Sequence, residues 1–281
     1  MATVRFHEGP LRAFRVSMPG IDLFPFDTWS RLEARRWRRP DHHMGYSDPA
    51  GYAPLRELLC VYLRASRGVN CTPEQIVITS GSQQEDDYDS EYRYTGPPLA
   101  SLQSLDRADC TIYVGTLSKV LFPGLRLGYV VAPPALVEPL VRAKAVMDRH
   151  NAIMPQMVLA DFIAAGHFGR HIKRTREAYA ERRAALLAGI DRHLADEFAC
   201  GPSDAGLDLC LHFRRPHDEA RIAAAAHDAG IELRPLSYYA SRNAGPACAV
   251  APGLVLGFAA IPPADIALGV KALARVMRAA R

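Results

Sequence analysis

The sequence predicts an α/β protein, with a sheet-bearing first half and a compact α+β last third. Three observations predict it. Short apolar runs at Ile76–Thr79, Cys110–Gly115 and Leu127–Ala132 have the length and composition of buried strands. Longer stretches around them carry apolar residues at helical spacing. The last third alternates in the order strand (Leu207–Phe213), helix (Asp218–Ala229), strand (Ile231–Leu236), strand (Leu254–Ala259), helix (Pro263–Ala279).

Taken in order, residues 1–45 read as an arm or linker broken by Pro19, Pro25 and Pro40, with a short helix over Phe26–Arg39. Arg31, Arg35, Arg36, Arg38 and Arg39 cluster there beside Trp29 and Trp37, a pattern that fits a nucleic-acid patch but favours a solvated basic face with the tryptophans packed inward. From Pro54 to Arg67, Leu55, Leu58, Leu59, Tyr62 and Leu63 recur with helical period. A further helix is expected from Pro134 to about His150, then helices over Pro155–Ala165 and His167–Leu194. The domain division that follows is an arm (1–45), a curtailed large α/β domain (46–145) and a small α+β domain (146–281).

Composition sets the outer bounds. With 281 residues, 49% hydrophobic and 23% charged, the chain can bury a sizeable core in one large or two modest domains. A net charge of +4 gives no strong pull towards nucleic acid. Six cysteines without a C-x-x-C pair indicate reduced thiols in a cytoplasm, not a disulfide frame or a zinc site. No apolar signal-peptide core opens the chain, and no apolar run reaches membrane-spanning length, so no membrane partner is expected. His167 and His171 can share a helix face, but Phe168 breaks the H-E-x-x-H pattern. Asp86, Asp87 and Asp89 alternate, yet Tyr92 occupies the place where a calcium loop requires glycine. No metal is therefore expected. No G-x-G-x-x-G follows a strand, which disfavours a dinucleotide.

The chemistry concentrates at Lys119. The run Ile112-Tyr113-Val114-Gly115-Thr116-Leu117-Ser118-Lys119 brings a lysine to the mouth of an apolar strand, behind two hydroxyls, with Arg126 seven residues on. Partial desolvation lowers a lysine's pKa, and a neutral amine attacks an aldehyde. Hydroxyls and a positioned arginine suit a phosphate monoester. An aldehyde and a phosphate on one small molecule describe pyridoxal 5'-phosphate (PLP).

At these residues the chain resembles the fold-type I PLP enzymes, the class I/II aminotransferases. The nearest likeness is to the aminotransferase-like half of MocR/GabR-type regulators of the GntR family. Gly45-Tyr46-Ser47-Asp48-Pro49-Ala50-Gly51, Ile76-Val77-Ile78-Thr79-Ser80-Gly81-Ser82-Gln83-Gln84, Glu85-Asp86-Asp87-Tyr88-Asp89-Ser90-Glu91 and Arg234-Pro235-Leu236-Ser237-Tyr238-Tyr239 follow in the family's order. The resemblance implies a Schiff-base role for Lys119, with Asp86 on the pyridine nitrogen and Tyr88 on the ring 3-hydroxyl. It implies a phosphate cup of Ser82, Gln83, Thr116, Ser118 and Arg126, and a Tyr46 that reaches the phosphate of a neighbouring subunit, hence a homodimer. Substrates would be an amine or amino acid with a 2-oxo acid.

The chain departs from that pattern at three places. The phosphate loop ends at Gln84 and runs directly into the aspartate loop at Glu85, where the family has several tens of residues, including strands of the large sheet and the aromatic that stacks on the ring. Four residues from Ser82 to Asp86 can span roughly 13–14 Å when extended. About a dozen residues precede Phe14, too few for the regulators' DNA-binding domain, so direct nucleic-acid binding is not expected. The usual substrate-carboxylate arginine aligns near Val255, leaving Arg234 as its substitute. An aminotransferase-like enzyme, a non-catalytic ligand sensor in transcriptional regulation, and an inactive deletion remnant all fit these features.

Overall fold

Ile76–Thr79 (β1), Tyr113–Thr116 (β2) and Gly128–Val131 (β3) form an antiparallel sheet in the order β1-β3-β2. The structure, a computed structural model, describes residues 10–81, 91–96, 99–201, 204–240 and 250–280. By contacts the chain divides into two units: Ile21–Glu177 with Asp204–Gly206, and Met1–Gly20 with Ala178–Ser203 and Leu207–Arg281.

In the first unit, Ile76, Val131 and Tyr113 stand side by side across the sheet, as do Ile78, Tyr129 and Gly115. They share one face because side chains alternate along a strand. That face is buried in a core with Leu55, Leu59 and Leu63 of Ala53–Arg67 (α2) and Met157, Leu159 and Phe162 of Ile153–Ala164 (α5). Pro54 opens α2 in the first turn, and Gly68, at φ 65°, closes it in the left-handed conformation.

The helix expected in the arm is present as Phe26–Arg38 (α1), but it is no linker. Phe24, Trp29 and Leu32 are buried in the same core, and Arg36 grips Asp161 of α5 through two bonds of 2.8 and 2.6 Å. Burial of these apolar groups outweighs the punctuation by prolines. Only one tryptophan points inward, since Trp37 stays 60% exposed.

The Gly45–Gly51 segment is pinned across β1. Ala50 C=O accepts from Ile78 N (2.8 Å), and Tyr52 N donates to Gln156 Oε1 (2.9 Å). Gly51 sits at φ +100°, and a Cβ there would lie 2.5 Å from Ile78 Cγ1 and 2.9 Å from Gln156 Oε1. Gly51→Ala should therefore cost about 2–3 kcal/mol of stability, read from urea midpoints.

Leu102–Leu105 (α3), not expected from the sequence, precedes β2. The strand starts later than expected because Asp106 accepts from Ala108 N, Cys110 N and Thr111 N (2.8, 2.8 and 2.7 Å), holding that stretch as a loop. Beyond β3, Pro134–Met147 (α4) buries none of its residues, and Leu136, Val146 and Met147 remain exposed. Among the described residues no strand pairs with the outer edge of β2. Bare apolar helix and open strand edge are surfaces that ordinarily meet another surface.

His167–Leu194 (α6) belongs to the first unit up to Glu177 and to the second from Ala178. In the second unit Phe198–Cys200 (β4), Asp208–Phe213 (β5), Arg234–Pro235 (β6) and Gly253–Gly257 (β7) form an antiparallel sheet in the order β4-β5-β7-β6. Its core includes Ile222 and Ala226 of Glu219–Asp228 (α7) and Ile266, Val270, Leu273 and Met277 of Pro263–Ala279 (α8). The strand expected over Ile231–Leu236 shrinks to two residues. Pro235 has no N–H for a ladder, and Ile231 instead bridges Ala13 in parallel.

Candidate active site

Thr79 and Thr116 both stand opposite Gly128, so β1 and β2 end at the same edge of their sheet. Ser80-Gly81 leaves β1 there, and Leu117-Ser118-Lys119 leaves β2. Arg126 arrives at the same edge just before β3, at φ 51° behind the turn Pro123–Leu125.

Two glycines record how closely these segments approach. A Cβ on Gly81, itself at φ +104°, would lie 3.1 Å from Arg126 Nη2, so the guanidinium lies beside that backbone. A Cβ on Gly128 would lie 2.9 Å from Thr79 Oγ1, 3.1 Å from Gly115 O and 3.2 Å from Gly81 Cα. Two of those three neighbours are backbone atoms and cannot swing aside. Gly128→Ala should thus cost about 1–3 kcal/mol and displace Gly81, which thermal melts and amide exchange of residues 80–81 would register.

Around the lysine, Leu117 N donates to Leu127 O (3.0 Å) and Ser118 N to Thr116 Oγ1 (3.2 Å). Lys119 is half-buried. The next carbonyl, Val120 O, accepts from His171 Nε2 (2.9 Å) and from Tyr92 Oη (3.4 Å). α6 thereby holds the peptide that follows the lysine. On the β1 side the buried Asn151 side chain donates to Ser80 Oγ.

His171 is 3% exposed. The clue lay in its α6 neighbours Phe168, Ile172 and Thr175, which are buried as well. Burial pushes its pKa from 6.5 down to about 4, against the Val120 hydrogen bond, which raises it, and with Arg174 adding to the drop. The unfolded chain takes up this proton near 6.5 while the folded chain resists to about 4. Lowering pH through that window therefore removes stability, by up to about 2–3 kcal/mol. His171→Gln, which keeps an N–H donor but does not titrate, should flatten the stability–pH curve there, as urea unfolding between those limits would measure.

Of the remaining sequence-derived site residues, Tyr46 is 82% exposed, with Arg149 over its ring at 5.0 Å. Arg234 belongs to the other unit, with its guanidinium over the Tyr238 ring at 4.8 Å. It stands directly opposite Val255 in the β6–β7 register. The proposed substitute is thus the cross-strand neighbour of the position that lacks the arginine. Ser82, Gln83, Asp86 and Tyr88 lie outside the described residues, as does the join at Gln84–Glu85.

Comparison with known proteins defines the class. The profile of the aminotransferase class I and II family matches residues 90–273, and the chain belongs to that family. It is similar to the probable rhizopine catabolism regulatory protein MocR of Rhizobium meliloti, 29% identical over 93% of this chain and 71% of that protein. That alignment runs over 356 residues, more than this chain's 281, so the relative carries a long stretch without a counterpart here. The chain is also similar to aromatic-amino-acid aminotransferase 1 of Thermococcus litoralis, 27% identical over 69% of this chain and 45% of that protein. In three dimensions it resembles LysN, the alpha-aminoadipate aminotransferase of Thermus thermophilus, solved with N-(5'-phosphopyridoxyl)-L-leucine. The TM-score is 0.82 at 21% identity, covering 95% of this chain and 92% of LysN, which establishes the aminotransferase fold.

Proposed function

We propose that the chain binds PLP at Lys119 and exchanges amino groups between an amine or amino acid and a 2-oxo acid. The carrying observation is the meeting of Gly81, Thr116, Ser118, Lys119 and Arg126 at one sheet edge. The cradle fits the cofactor's phosphate end: a glycine backbone against a guanidinium, with two hydroxyl side chains on the neighbouring strand end.

When bound, PLP supplies an aldehyde to capture the amine and a ring that withdraws electrons from the α-carbon. The chain's own residues supply the rest. Arg126, Thr116 and Ser118 hold the phosphate, with Ser82 and Gln83 completing the cup. Asp86 holds a proton on the ring nitrogen, and Tyr88 orients the 3-hydroxyl. Lys119 Nζ would anchor the cofactor and then move a proton between the substrate α-carbon and the cofactor carbon that carried the aldehyde. Arg234 takes the substrate carboxylate. Tyr46, exposed on its own chain, serves the phosphate of a second copy in a homodimer, and the uncovered apolar surface of α4 supports such an assembly.

The test is transfer of ¹⁵N from a panel of amino acids to 2-oxo acids by the full chain with PLP, followed by mass spectrometry. Lys119-dependent transfer supports the enzyme reading. A second reading, a PLP-dependent ligand sensor, is favoured by the regulatory relative that spans 93% of the chain. It is the reading to keep if PLP binds and no donor is turned over.

A further inference from the structure

A cavity of about 320 Å³ lies within the first unit, between the C-terminal end of α2, the Glu91–Gly96 segment and the first turns of α6. Its charged lining is Arg67, Glu91, Arg93 and Arg176, with Tyr62 and Ser66 beside them. Glu91 is already engaged: Arg67 Nη2 stands 3.0 Å from its carboxylate, with both side chains largely buried, and Tyr62 Oη donates to the same oxygen at 3.1 Å. That pair neutralises itself and stiffens the wall. Arg176 is aimed by two bonds from Nε and Nη2 to the Glu91 carbonyl (3.0 and 2.8 Å), which satisfies donors but brings no counter-charge. Arg93 Nε is buried without an acceptor among the described residues. A buried guanidinium donor without a partner is costly unless something supplies the acceptor.

Arg93 and Arg176 thus line a cavity whose carboxylate, Glu91, is already paired with Arg67, and Arg93 has an open donor. We propose that this cavity is an anion-binding site, separate from the Lys119 edge, for a small molecule bearing a carboxylate or phosphate group. Arg93 and Arg176 take the anion, and the Tyr62 ring and Ile172 line the cavity for the ligand's apolar part. Gly169 of α6 lines the cavity, and a Cβ there would meet nothing within 4 Å. The site does not depend on PLP binding.

Calorimetric titration of the full chain with inorganic phosphate and, separately, succinate tests this. Saturable binding that weakens at least about tenfold in Arg93→Gln is the expected result, since a charge-assisted hydrogen bond is lost. Whichever probe binds more tightly names the anion class. Gly169→Glu, which replaces a helix-weakening glycine and sends its own carboxylate into the cavity, should melt no lower than wild type and lose the binding. It keeps the test open if Arg93→Gln folds poorly. Arg126→Gln should retain the Arg93-dependent binding. No saturable binding in wild type, equal binding in wild type and Gly169→Glu, or loss in Arg126→Gln alone would overturn the proposal.

Discussion

Lys119→Ala is expected to abolish amino-group transfer, lowering it by at least about 10²–10⁴-fold, the range attached to a positioned proton-transfer group. The loss should exceed that figure if the lysine also anchors the cofactor, because two roles then fall together. The fold should survive, as Lys119 is only half-buried and the peptides of Leu117, Ser118 and Val120 are held by bonds that the substitution leaves in place. Steady-state transfer rates and a thermal melt on the same preparation separate the outcomes. An unchanged rate would remove Lys119 from the chemistry altogether.

Arg126→Gln should weaken PLP binding by about 10–100-fold, the equivalent of one charge-assisted hydrogen bond to the phosphate. Gln keeps a polar N–H donor but loses the charge and the fork of the guanidinium. The effect should diminish at high salt because Arg126 is exposed. Absorbance titration with PLP at two ionic strengths checks both statements. Pyridoxal, which lacks the phosphate, should bind wild type and Arg126→Gln alike; a difference with pyridoxal would mean that Arg126 acts elsewhere.

Much of this was legible in the sequence because local patterns and tertiary demands agree. β1 is found at Ile76–Thr79, α6 at His167–Leu194 and α8 at Pro263–Ala279, the spans expected from periodicity and prolines. Failures arose where a non-local contact overrode a local signal. Prolines marked residues 1–45 as an arm, yet Phe24, Trp29 and Leu32 are buried beside α5. One further failure was local: Asp106 captured three backbone N–H groups two, four and five residues on and delayed β2. The β4 strand, Phe198–Cys200, is too short for its period to register and exists by pairing with β5.

At the candidate site, Lys119 and Arg126 announced themselves through residue type and spacing. Gly128 did not, since its constraint is the approach of Gly81 and Gly115 from other strands. Nor did His171, which reaches Val120 from 51 residues away. The arginines of the α2–α6 cavity are scattered from 67 to 176, a grouping that only the fold creates.

The most direct test of the account is the visible absorbance spectrum of the purified chain with PLP, before and after borohydride reduction, followed by peptide mapping. The account requires a new visible absorbance band and, after reduction, a pyridoxyl label confined to Lys119. No band, or a label spread over surface lysines, would contradict it.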